Sequence, residues 1–382
     1  MKETGKGPAI LRINNEKRVI AALRQQQLTS RQDLSRQLKL SKNTVSLIVD
    51  DFIAAGLVEE RAPFSSSMAG RRKIGIALRP ERRLSAGIMV ERQHVHVRVC
   101  DAFSRVLEER TWQTSTENPQ QLLAELAEHC QRLIRDHPAL IGIALGFPGI
   151  IDPQRGWMHH SSHLGWQGTD LLSSLQPHVC VPLLIMNNVK AAALLSVQQM
   201  KCDPNGSSFY LRIGEGVGGA LVKEGEIYTG SSWTAGEVGH LIVDPNGPRC
   251  SCGRKGCLET MISLPAVQQQ FAQKAPHLRW ENRTRAPAIM DALMTRAGNR
   301  LGHALGQIML LLNPGDIMID GPWNDHQGFI AAVRDSATQS ALDFTVQRTR
   351  LHFMAQRIDP ANGLALAVLE QHERIDPLLP GA

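Results

Sequence analysis

The sequence predicts an α/β protein with a winged helix-turn-helix at its N-terminal end. Two observations carry the winged element. Three short, capped, amphipathic segments lead into two strand-like runs, and nearly all the excess positive charge lies in the same stretch. A third carries the rest: from Leu84 onward, strand-like runs, tight loops and helical runs alternate, the pattern of an α/β fold.

In the first eighty residues, Val19, Ile20 and Leu23 recur at helical spacing between Glu16 and Gln26. Thr29-Ser30 then supplies a cap, with Asp33 three residues after Ser30, before Leu34 and Leu38. Leu40 closes a very short turn. Ser41 caps a third helix whose inner face is Val45, Ile48, Val49, Phe52 and Ile53, and Gly56 stands where a left-handed C-cap is common. Its other side crowds Lys42, Asn43, Thr44, Ser46 and Leu47 into the first turns, where a recognition helix presents side chains to base edges. Leu57-Val58-Glu59 and Lys73–Leu78 then read as two strands around a polar tip, Pro63 to Gly70. Arg71 and Arg72 follow that tip, where a wing meets backbone or minor groove. Ser41, Lys42, Asn43, Thr44, Ser46, Arg71 and Arg72 are therefore the candidate contacts to double-stranded DNA. The bland alternative is a small helical bundle with solvated charges.

Charge distribution favours the nucleic-acid reading. The chain of 382 residues has a formal net charge of +6, yet residues 1–80 hold 15 Lys/Arg against 7 Asp/Glu, and the remainder 27 against 29. Such asymmetry suggests a polyanion-binding module joined to a near-neutral body. With 42% hydrophobic and 20% charged residues, the composition is that of an ordinary globular protein. No apolar run approaches the roughly 18–20 residues of a membrane helix, and the polar start lacks a signal-peptide core, so a cytoplasmic location is expected.

In the remainder, Ser85–Cys100 reads as two adjacent strands and Pro119–Asp136 as an amphipathic helix through Leu122, Leu126 and Leu133. Ile141–Leu145 is a buried strand entering Gly146-Phe147-Pro148-Gly149, and Leu183–Met186 another entering Asn187-Asn188 and the Ala191–Met200 helix. The run Gly214-Glu215-Gly216-Val217-Gly218-Gly219 permits close approach of backbone to a phosphate or to another strand; a hairpin turn explains such glycines equally.

Of seven cysteines, Cys100, Cys130, Cys180 and Cys202 are scattered among apolar neighbours and read as buried thiols. Cys250, Cys252 and Cys257 are clustered, with His240 ten residues upstream of the first. Three thiolates and an imidazole are the ligand set of a closed, structural zinc site, and Gly253 and Gly256 let the loop wrap one ion per chain.

With Ser30–Gly56, Gly70-Arg71-Arg72, Gly146–Gly149, Asn187-Asn188, Gly216–Gly219, Gly236–His240, Cys250–Glu259 and Gly302–Gly321 in view, the chain resembles the ROK family of repressors and sugar kinases, in its transcriptional-regulator branch. The resemblance implies a two-lobed actin-like (sugar kinase/ribonuclease H-like) fold with a sugar in the cleft. It divides the chain into 1–80, the winged helix; 81–186, a first lobe; and 187–382, a second lobe with the zinc loop, from which a C-terminal helix returns to the first. It also implies that Asn187, Asn188, Glu237, His240 and Glu259 reach sugar hydroxyls, His240 holding zinc by one ring nitrogen and sugar by the other. Capping of a helix or turn is the alternative for Glu237 and Glu259.

Two departures bear on catalysis. Kinases of the family carry Asn-Asp where this chain has Asn187-Asn188, and Met186 and Lys190 replace the usual Glu and Asn. An amide cannot take the proton of an attacking hydroxyl, and losing a positioned base costs about 10²–10⁴-fold. The family's first phosphate loop, Asp-x-Gly-Gly-Thr, is replaced by Gly87-Ile88-Met89-Val90-Glu91-Arg92. The expectation is a repressor without catalytic residues that responds to a sugar or sugar phosphate and acts as a homodimer or homotetramer. A bifunctional kinase that binds DNA, and an interaction protein with a vestigial sugar site, are the alternatives.

Overall fold

The computed structural model describes residues 8–64 and 73–375. Helices α1 (Pro8–Gln26), α2 (Arg31–Leu38) and α3 (Lys42–Ala54) precede an antiparallel hairpin of β1 (Val58–Phe64) and β2 (Lys73–Leu78). Ser30 Oγ accepts from Asp33 N and Ser41 Oγ from Thr44 N, satisfying orphan amides at the starts of α2 and α3. Lys39, at φ 54°, and Leu40 make the turn between them. Val19, Ile20, Leu23, Leu34, Val45, Ile48, Val49 and Phe52 close a separate small core with Val58 and Ile76 of the hairpin. Gly70, Arg71 and Arg72 lie outside the described residues.

The body holds two sheets of the same design. In the first, β3 (Leu84–Glu91), β4 (His94–Cys100) and β5 (Val106–Gln113) form an antiparallel meander. After α4 (Pro119–Asp136), β6 (Leu140–Phe147) joins β3 in parallel. A small antiparallel sheet of β7 (Ile150–Asp152), β8 (Trp157–Ser161) and β9 (Trp166–Asp170) follows, then α5 (Leu172–Leu175) and β10 (Leu183–Asn187), which runs parallel to β6. Helix α6 (Asn188–Met200) leads to the second sheet: β11 (Ser207–Ile213), β12 (Val217–Lys223) and β13 (Glu226–Tyr228) in antiparallel order. Helices α7 (Glu259–Ile262), α8 (Leu264–Lys274) and α9 (Pro287–Leu312) precede β14 (Asp316–Asp320), parallel to β11. Helices α10 (Gln327–Ser340) and α11 (Asp343–Val346) precede β15 (Arg350–Phe353), parallel to β14. The orders β5-β4-β3-β6-β10 and β13-β12-β11-β14-β15 are equivalent: a three-strand meander extended by two parallel strands. This duplication is the actin-like architecture.

The polar segment after α8 has a packing role. Trp280 sits edge-on to Phe271 (5.6 Å) and Trp323 (6.2 Å), with Arg283 over its other side (4.8 Å).

Helix α12 (Pro360–Ile375) returns to the first sheet and packs on β3, β4, β6 and α6. The approach is close enough to need glycine: a Cβ at Gly87 would lie 1.9 Å from the Ala361 carbonyl oxygen. The crossover into α12 is clamped from both sides. Buried Asp320 accepts from Tyr210 Oη (2.5 Å) and Ile358 N (3.3 Å), while Asp359 pairs with Arg98 (3.1 Å) and His96 (3.2 Å) of the first sheet. The far end of α12 meets the winged element, where Arg24 of α1 lies 3.4 Å from Glu373. Nearby, Phe103 of the β4–β5 turn packs against the winged core.

Candidate ligand cleft, metal centre and nucleic-acid interface

The parallel strands β6 and β10 end side by side, Phe147 beside Asn187, at the carboxyl edge where open α/β sheets bind ligands. Asn187 caps α6: its Oδ1 accepts from Val189 N (2.8 Å) and Lys190 N (3.2 Å), and its amide donates to Gly149 O (2.8 Å). That leaves Asn187 one N–H for any ligand, less than the sequence suggested. Asn188 is buried and donates to Val90 O (2.9 Å), while its Oδ1 has no partner.

Glu237, His240 and Glu259 converge from the opposite wall. Glu259 begins α7 and accepts from Val217 N through Oε2 (2.9 Å), so one oxygen ties the β11–β12 hairpin to the metal loop. The glycine run is that hairpin, with Ile213 opposite Val217. Burial pushes the Glu237 carboxyl up; His240 and Lys190 pull it down, and Glu259 adds to the rise. Lys190 is itself buried and donates to Trp233 O (2.6 Å); burial pushes its ammonium down and Glu237 opposes that.

Sequence reasoning missed two histidines. A Cβ on Gly216 would lie 2.7 Å from Glu259 Oε2 and 3.1 Å from His163 Cε1, which places His163 at the glycine hairpin beside Glu259. His159 stacks on Trp233 at 4.8 Å. Both come from the β7–β8–β9 excursion of the first lobe, which thus reaches the second. The available signal was three histidines within five residues of Trp157 and Trp166.

His240, Cys250, Cys252 and Cys257 form a group whose ligand atoms all lie within 4.8 Å of one another. His240 Nδ1 is 3.6 Å from Cys250 Sγ, and Cys252 Sγ is 3.6 Å from Cys257 Sγ. A tetrahedral ion with Zn–S of about 2.3 Å and Zn–N of about 2.0 Å needs S···S near 3.8 Å and N···S near 3.5 Å. The donor set and both separations fit. Gly256, at φ 71°, is obligatory in this loop, since a Cβ there would lie 1.5 Å from Asp244 O.

On the winged element, Ser41, Lys42, Asn43 and Leu47 are exposed and Thr44 and Ser46 half-buried. Thr44 Oγ1 lies 2.8 Å from Ser41 Oγ, so these hydroxyls are largely engaged with the cap. Arg31 bonds Asp50 of α3 (2.7 Å) and Glu60 of β1 (3.0 Å), offsetting the acids nearest the reading face.

Residues 85–367 match the ROK family. The chain belongs to the ROK family. Among its relatives, the DNA-binding transcriptional dual regulator NagC of Escherichia coli K12 is 25% identical over 92% of this chain and 90% of its own. The xylose repressor of Bacillus subtilis is 26% identical over 80% and 81%. In fold, the chain is similar to a ROK family transcriptional regulator described as a homologue of the E. coli Mlc protein, with TM-score 0.81, 22% identity, and 96% and 99% of the chains covered. A ROK hexokinase from Thermus thermophilus matches at TM-score 0.62 and 24% identity, covering 74% of this chain and 97% of its own.

Within this ROK chain, the segment in the place of the first phosphate loop is a two-residue turn, Arg92-Gln93, between β3 and β4. Gln93 adopts φ 65°, and the Val90 carbonyl is taken by Asn188. Glu91 ends β3 and contributes to the field on Arg212, whose guanidinium donates to Ile358 O (2.7 Å). The turn offers no glycine-lined nest for phosphate, and it places a carboxylate where anionic oxygens would have to sit.

Proposed function

We propose that this protein is a DNA-binding transcriptional repressor whose kinase-like cleft binds a sugar or sugar phosphate without phosphorylating it. The observation that carries the reading is Asn188: at the position of the family's catalytic aspartate stands a buried amide committed to the Val90 carbonyl. Glu91 and the tight β3–β4 turn argue independently against a magnesium nucleotide. The polar groups suited to sugar hydroxyls are retained in Asn188, Glu237, His240 and Glu259. The names of the relatives, repressors of N-acetylglucosamine and xylose among them, support a sugar-responsive regulator.

In this reading His240, Cys250, Cys252 and Cys257 hold a structural zinc ion. The ion fixes the loop from which Glu259 projects, and His240 turns Nδ1 to the metal and Nε2 to the cleft. Lys42, Asn43, Thr44 and Ser46, with Ser41 as cap, face bases, and Arg71 and Arg72 face the backbone or minor groove. Two copies of the chain, or four, present paired heads to half-sites about 10 base pairs apart or a multiple of this.

A thermal-shift screen of monosaccharides and their 6-phosphates tests the cleft. The matching ligand at 100 times its Kd is expected to stabilise the chain by about 2.7 kcal/mol, raising Tm by several degrees. A screen in which no sugar shifts Tm counts against the reading. With ATP and that same sugar, turnover is expected to stay at background, for Asn188→Asp as for the wild type, since the turn at Arg92-Gln93 is unchanged. Phosphoryl transfer by the wild type would establish the bifunctional kinase instead.

A further inference from the structure

We propose that Leu47 reads the methyl group of a thymine in the major groove, one helical turn along α3 from Asn43. The proposal rests on the DNA-binding reading above and adds to it a base identity and an apolar contact. A single exposed leucine is ordinary on a protein surface; its place on α3 is what matters here. Leu47 is 65% exposed, while Val45, Ile48 and Val49 beside it supply the buried face of the same helix. Its side chain is not used by the winged core.

Asn43 and Leu47 stand four residues apart, on one face, separated by about 6 Å along the helix axis, close to two base steps. Around them the hydrogen-bonding groups thin out. Ser41 and Thr44 hydroxyls are paired with each other, and Asp50, one turn beyond, is held by Arg31. The fully presented side chains in the first two turns are thus a cation, an amide and an isobutyl group. Lys42 suits a phosphate or guanine, and Asn43 suits adenine N6 and N7 in bidentate contact. Leu47 has no polar edge to offer, and the C5-methyl of thymine is the one apolar feature a base pair displays in the major groove. The local excess of Lys and Arg in residues 1–80 brings a polyanion to this face and argues for DNA as the occupant rather than a second protein surface.

The test uses the full chain and removes only the methyl. A duplex is first selected from a random-sequence pool, and each thymine in each half-site is then replaced singly by deoxyuridine. The wild type is expected to lose about fourfold in affinity at one thymine per half-site, the value of one buried methyl-sized group. Leu47→Ala keeps a strong helix former at an exposed position and is expected to fold normally. It is expected to bind the parent duplex about fourfold to tenfold less tightly and to show no further loss at that same deoxyuridine. The idea is overturned if no deoxyuridine position weakens the wild type, or if Leu47→Ala remains as sensitive there as the wild type. It is also overturned if Leu47→Ala changes the oligomeric state while thymine and deoxyuridine bind alike, which makes Leu47 a protein contact. Failure to enrich any duplex instead removes the DNA-binding reading on which the proposal stands.

Discussion

Replacing Cys257 by alanine is expected to empty the metal centre and to disable the sugar cleft with it. Wild-type protein should carry about one zinc per chain by elemental analysis, and the variant should carry background levels. Cys257 is fully buried, and Leu258 and Glu259 follow it directly into the core and the cleft. A structural zinc contributes about 10–16 kcal/mol of apparent binding free energy in small domains, as much as the whole stability of many proteins. The second sheet keeps its large core of Leu, Ile, Phe and Met side chains without the ion, so the loss should fall first on the loop from Leu241 to Leu258. Sugar affinity is expected to drop at least tenfold, because Glu259 loses its anchor at one end while still bonded to Val217 at the other. Excess chelator should reproduce both effects. Burial, with Cys252 and Cys250 adding to it, pushes the Cys257 thiol up to about 12. Protons therefore compete with the metal, which should be held less firmly as pH falls. Metal-free wild-type protein that binds sugar at full affinity would falsify this account of the centre.

A single methyl at Gly87 is expected to cost about 4 kcal/mol or more, a fall in Tm of roughly 8 °C. The added Cβ would stand 1.9 Å from Ala361 O, 2.8 Å from Ala365 N and 2.8 Å from Leu364 Cβ, so it meets backbone that no rotamer can move aside. Leu364 also packs against Gly146, where a Cβ would lie 2.6 Å from Leu364 Cδ1 and 2.3 Å from Asn188 Oδ1. Displacing α12 should therefore disturb the sugar site as well as stability. Gly165→Ala is the control. Its φ of 74° carries strain, but nothing lies within 4 Å of the new methyl, and about 1 kcal/mol is expected. Equal melting temperatures for Gly87→Ala and wild type would show that α12 does not sit where the structure puts it.

Local signals explain which parts of the fold were legible in the sequence. Ser30 and Ser41 announce caps because a hydroxyl three residues before a free amide is a short-range arrangement. Helix α4 runs over the predicted residues because Asn118, Pro119 and the leucine spacing all lie within its own segment. The metal group was readable because its four ligands fall within eighteen residues of chain. Strand β5 escaped notice because it is an edge strand with alternate residues exposed, so its sequence is polar. The reach of His159 and His163 into the second lobe depends on how two sheets face each other, and no periodicity encodes that. Asn187 was singled out for sugar because the spacing of a motif does not reveal that the residue caps a helix. Nor could local pattern pair Arg24 with Glu373, which are nearly the whole chain apart.

That last pair gives α12 a mechanical meaning. The helix spans 16 residues, about 24 Å, with Leu364 in its first turns beside the cleft and Glu373 in its last against α1. A rod of that length converts angle into travel. A tilt of about 10° about the cleft end carries the far end roughly 4 Å, more than the 3.4 Å that separates Arg24 from Glu373. Angular play too small to open a gap around Leu364 is therefore enough to unseat the contact on which the winged element rests.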